Sequence, residues 1–122
     1  MKKRIDARQL MESYVGRTIK TVRGESNTIL TIEDDSVIVG TKDSSAGKPV
    51  PIEHVRLALQ HLVTEGEVSL KSKLGPYTPR KSFLVAILLT LPGVALESDP
   101  APSRAVLIDR DALEHFLHAE GV

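Results

Sequence analysis

"PIEHVRLALQHLVTEGEVSL", residues 51–70, changes the rhythm of the chain and governs how the residues on either side are read. Val55, Leu59, Leu62 and Val63 fall on one stripe at helical spacing, and Gly66 is the residue that most readily closes a helix in a left-handed turn. "EVSL" (67–70) follows as a short strand. In "KSKLGPYTP" (71–79), Gly75, Pro76 and Pro79 forbid a long helix, so a turn or one poor helical turn is expected. "TPRKSFLVAILLTLPG" (78–93) then reads as a helix of about three turns, starting at Thr78 or Pro79 and stopped by Pro92-Gly93. Leu84, Ile87, Leu88 and Leu91 form its expected buried stripe, while Val85 and Leu89 lie off it.

Beyond this pair of helices, "VALE" (94–97) and "RAVLI" (104–108) read as strands joined by "SDPAPS". "DRDALEHFLHAE" (109–120) is a closing helix capped by Asp109 or Asp111, with Leu113, Phe116 and Leu117 inward. On the other side, "DARQLMESY" (6–14) places Ala7, Leu10, Met11 and Tyr14 at helical spacing behind Asp6. "TIKTVR" (18–23), "NTILTIE" (27–33) and "SVIVGT" (36–41) are rich in Ile, Val and Thr and read as a three-stranded antiparallel meander. The acids of "EDDS" (33–36) suit the tight turn between the last two strands. "KDSSAGKP" (42–49) is a loop by composition.

The expected fold is α+β: a small antiparallel meander joined to a half ordered helix, strand, turn, helix, strand, strand, with helices at both ends. The chain of 122 residues suits one domain, with sub-regions 1–50, 51–108 and 109–122. The order from residue 51 is that of a winged helix, in which a recognition helix enters the DNA major groove and the loop of the last hairpin forms the wing.

The charge pattern points to the same place. Net charge is zero, which removes any global attraction to a polyanion. Residues 68–96, however, hold Lys71, Lys73, Arg80 and Lys81 and no acid, whereas residues 97–122 hold two Lys/Arg against six Asp/Glu. The basic block coincides with the first turn of the second helix. Arg80 and Lys81 suit phosphates or base edges, Thr78 and Ser82 suit phosphates, and a helix N-terminus adds partial positive charge. Lys71, Lys73, Tyr77, Thr78, Arg80, Lys81, Ser82 and, at the edge of the wing, Arg104 therefore form the expected nucleic-acid face, with duplex DNA as the expected ligand. Tyr77 either stacks on a sugar or base or pins the turn to the core. The alternative is a protein-docking or dimerisation module using Val85 and Leu89 as an exposed apolar pair.

No catalytic motif is legible, and no enzyme, cofactor or metal is expected. His115 and His118 stand three apart on the last helix, a spacing that can ligate zinc, but no third ligand occurs at motif spacing. His54 and His61 read as surface or boundary residues. The absence of cysteine excludes disulfides and thiolate sites and fits a reducing, cytoplasmic setting. Asp6, Arg8 and Gln9 interrupt what would be the apolar segment of a signal peptide. The longest apolar run, "FLVAILL" (83–89), is far short of the ~20 residues that span a bilayer, so no membrane partner is expected.

"GKPVPIEHVRLALQHLVTEGEVSL" followed by "YTPRKSFLVAILLTLPGV", together with "GRTIKTVRGESNTILTIEDDSVIVGT", resembles an accessory module of bacterial restriction and defence proteins, over roughly residues 16–108. The shared features are an apolar pattern with Gly and Pro punctuation. The resemblance implies a DNA-targeting or regulatory role beside a separate nuclease or helicase domain. No such domain is present in these 122 residues.

Overall fold

The structure is a computed structural model and describes residues 5–75 and 79–122. Helix α1 (Ala7–Glu12) opens the fold, with the Asp6 side chain accepting a hydrogen bond from the Gln9 amide as its N-cap. It buries Ala7, Leu10 and Met11, the residues that its spacing selected. Four antiparallel strands follow in sequential order: β1 (Thr18–Lys20), β2 (Ser26–Glu33), β3 (Ser36–Thr41) and β4 (Ser44–Pro51). The β2–β3 turn is Asp34-Asp35, as the carboxylate run suggested, with Asp34 in the left-handed region at φ 53°.

Strand β4 corrects the reading of residues 42–49 as a loop. Ser44–Pro51 pairs with β3 along its length, from Thr41 opposite Ser44 to Ser36 opposite Pro51. It was illegible because Val50 is its only buried residue, so no alternation marks it. The first strand is shorter than its run of Ile, Val and Thr. After Lys20 the chain closes on itself, the Thr21 amide donating to the Glu25 carbonyl (2.8 Å) and the Gly24 amide to the Thr21 carbonyl (2.9 Å).

Helix α2 (Ile52–Glu65) ends as expected, with Gly66 left-handed at φ 85° and its amide bonded to the Leu62 carbonyl. It is followed by β5 (Glu67–Ser69), α3 (Lys81–Leu89), β6 (Val94–Glu97), β7 (Arg104–Leu107) and α4 (Arg110–Ala119). The last three strands form a second antiparallel sheet ordered β5-β7-β6. Asp109, not Asp111, caps α4 through the Ala112 amide (3.0 Å). Leu113 and Leu117 are buried beneath it, while Phe116 is half-buried.

Buried residues from Ala7 to Val122 join in one hydrophobic cluster, with α2 and α3 at its centre. Helix α3 differs most from expectation. Val85, placed off the buried stripe by its spacing, is 0% exposed, and every residue from Phe83 to Leu88 is buried. The reason is topological: α3 packs against α2, against all three strands of the small sheet and against β1 of the large one. A helix surrounded by partners is apolar on all sides, and so α3 has no lateral face to offer a groove. Its C-terminal end is tied to the first helix region by the Tyr14 and Thr90 hydroxyls, 2.5 Å apart. Among the described residues, no helix is long and apolar enough to cross a membrane.

Candidate nucleic-acid interface

With its sides covered, α3 meets solvent through its N-terminal end. Arg80 stands at the N-cap position in a left-handed conformation (φ 65°, ψ 34°), its carbonyl accepting the first helical bond from Leu84 (3.1 Å). An arginine in this region carries backbone strain of roughly 1–3 kcal/mol. No described side chain caps the helix, whose N-terminus carries partial positive charge.

Beside the start of α3 lies a cleft of about 800 Å³. Three segments far apart in sequence wall it: the Thr21–Asn27 turn, the β3–β4 hairpin with Lys42, Asp43 and Lys48, and Arg80 and Ser82 at the start of α3. Asn27 stands opposite Ile19 on the inward side of the β1–β2 ladder, and its Oδ1 accepts a long hydrogen bond from the Arg80 guanidinium (3.4 Å). Thr21, likewise buried, accepts from the Glu25 amide through its hydroxyl (3.2 Å), which fixes the turn. The cleft thus gathers Lys42, Lys48 and Arg80 against Glu25 and Asp43, within a ring of hydroxyls from Thr21, Ser26, Thr41, Ser44 and Ser82. Such a lining offers charged and neutral donors to an anion with hydroxyl or carbonyl groups. It includes no histidine or cysteine for metal or nucleophilic chemistry.

The residues selected from sequence divide among several places. Arg80 and Ser82 line the cleft, and Lys81, between them, is half-buried. Lys71 and Lys73 are exposed on the segment after β5, where the Ser69 and Ser72 hydroxyls shape a turn. Arg104 is occupied: its guanidinium pairs with Glu67 (3.2 Å) and with Glu97, and donates to the Pro100 carbonyl (2.8 Å). It braces the small sheet and the hairpin loop, with its charge offset by two carboxylates. Tyr77 and Thr78 lie outside the described residues.

Lys42, Lys48 and Asn27 escaped sequence reading. The two lysines sit in the stretch that reads as a loop, and only the pairing of β3 with β4 brings them to the cleft; the asparagine sits at the start of a β run and is turned inward by its pairing opposite Ile19. His115 and His118 are exposed on α4, and among the described residues no group of His, Asp or Glu is placed to hold a metal ion. A second, shallower hollow is lined by Ile5, Asp6, Ala7 and Arg56. Arg56 is engaged there by Glu53, whose hydrogen bond raises the guanidinium pKa above its ordinary value. Comparisons with protein-family models, with curated proteins and with solved structures gave no match, so the site rests on its own geometry.

Proposed function

We propose that this chain is a non-catalytic nucleic-acid-binding domain that grips DNA through the face around the N-terminal end of α3. The observation that carries the proposal is that Lys42 and Lys48 of the β3–β4 hairpin and Arg80, distant in sequence, line one cleft beside a helix N-terminus that no described side chain caps. Three cations beside the positive end of a helix form a phosphate-directed surface that needs no excess of positive charge over the whole chain. Lys81, between Arg80 and Ser82, adds a fourth cation at this end of α3, while Lys71 and Lys73 stand apart on the segment after β5.

In this reading the half from α2 to β7 is a winged-helix variant, its sheet order β5-β7-β6 and its helix order supporting that comparison. It departs in one respect: α3 is central to the core and offers its end, not its side. Contact is therefore with the phosphate backbone, and sequence is read weakly or not at all. An accessory role in a cytoplasmic DNA-processing system, in line with the resemblance to restriction and defence modules, fits a backbone-gripping domain without catalytic groups. A docking module using Val85 and Leu89 has less support, because Val85 is buried.

Titrating a short duplex at increasing salt tests the proposal. With about three phosphates neutralised, log K against log salt falls with a slope near −2.7. Lys42→Glu/Lys48→Glu abolishes binding at a salt concentration where wild type binds. A duplex that is bound independently of salt, or not bound even at low salt, refutes the reading.

A further inference from the structure

Resting on that reading, we propose that the cleft within this face prefers a single nucleotide unit, the 5′-phosphate-bearing end of a strand or a free nucleoside 5′-phosphate, to the internal phosphates of a duplex backbone. The first argument is shape. Duplex DNA presents its phosphates on a convex surface about 20 Å across, with a major groove about 12 Å wide, and a convex rod meets a protein on ridges and rims. A concave space of about 800 Å³ has the dimensions of a small-molecule site, large enough for one nucleotide and too small for a helical turn.

The second argument is the lining. Lys42 and Lys48 come from the β3–β4 hairpin and Arg80 from the start of α3, so two walls of one concave space carry cations, beside the carboxylates of Glu25 and Asp43. Cations on two sides of a small space suit a terminal phosphate, which carries up to two negative charges and three free oxygens. Hydroxyls and the Asn27 amide line the same space, as a sugar and a base edge require.

The third argument is Asn27 itself, which is 3% exposed yet lines the cleft. Its Oδ1 is taken by Arg80. Among the described residues the one buried side-chain polar atom without a partner is His54 Nδ1, so the Asn27 NH2 opens onto the cleft, where it can donate to a ligand oxygen. Phe83, although it borders the cleft, is 1% exposed, so the base is held by its edge and not by stacking on an aromatic face.

The test compares four probes by fluorescence anisotropy or competition: a 5′-phosphorylated single strand of about six nucleotides, the same strand with a 5′-hydroxyl, a dumbbell duplex with both ends closed, and free dAMP. The phosphorylated strand is expected to bind at least tenfold more tightly than its hydroxyl form, and Lys48→Ala or Lys42→Ala, both surface changes, removes that preference. If dAMP competes as well as the phosphorylated strand, the free nucleotide is the ligand; if it competes poorly, the strand end is. Equal affinity for phosphorylated, hydroxyl and dumbbell probes overturns this inference while leaving DNA binding intact. Failure to bind any probe at low salt overturns both. Asn27→Ala, if it folds, lowers affinity for the phosphorylated strand about tenfold; should it unfold, the two lysine variants still decide.

Discussion

Val85→Ala tests whether α3 is a core helix or a helix with a free face, because the two cases predict opposite signs. Val85 is fully buried. The truncation removes two methyl-sized groups worth roughly 0.8 kcal/mol each in buried apolar surface, and the cavity left in a well-packed centre raises the cost to about 2–3 kcal/mol. Were Val85 on a water-facing side, the same change would stabilise the helix by up to about 0.6 kcal/mol through the better propensity of alanine. Urea unfolding followed by circular dichroism separates the cases. With a slope of roughly 1–3 kcal/mol per molar urea, the core reading lowers the midpoint by about 1 M or more at unchanged slope. A midpoint equal to or above that of wild type refutes the packing account of α3 and restores a lateral recognition face.

Two glycines in the same left-handed region should respond very differently to alanine. At Gly66 (φ 85°) nothing lies within 4 Å of an added Cβ, so Gly66→Ala costs only the backbone strain, about 1 kcal/mol. At Gly93 (φ 79°) the Cβ is driven into the Asp109 carbonyl, which opens α4 by accepting from Leu113, so Gly93→Ala costs about 3 kcal/mol or more; thermal unfolding of both variants checks the ratio. Asp109→Ala removes the cap of α4 and lowers stability by about 1 kcal/mol, read as a lower urea midpoint. Arg104→Ala, which frees Glu67 and Glu97 to repel each other, costs about 1 kcal/mol of stability yet changes duplex affinity less than twofold; a tenfold loss of affinity would return Arg104 to the binding face.

Helices were legible in this sequence where they keep one wet side. In α1 and α2 the apolar residues repeat beside exposed polar ones, so Leu10, Met11, Leu59 and Leu62 declare which way they face. Helix α3 lacks that contrast: its apolar residues are continuous, and spacing suggests an outward side at Val85 where the structure has none. Its start at Lys81 is later than the sequence suggests, because Pro79 is an ordinary first helical residue and nothing local indicates that Arg80 adopts a left-handed conformation after it. Strand β4 was hidden because its partner supplies the ladder while its own side chains stay mostly in water. The cleft inherits that omission. Its Arg80 and Ser82 wall could be read from charge and punctuation, but its Lys42 and Lys48 wall depends on a hairpin whose second strand has no pattern of its own.

The most direct test of the central claim is chemical-shift mapping of the amide spectrum as a 5′-phosphorylated oligonucleotide is added at low salt. The account predicts perturbations at Thr21–Asn27, Thr41–Ser44, Lys48 and Arg80–Phe83, with α4 and the outer strand β6 unmoved. Shifts centred on His115, His118 and the rest of α4, or on Leu96 and Ile108, with the cleft silent, would contradict it.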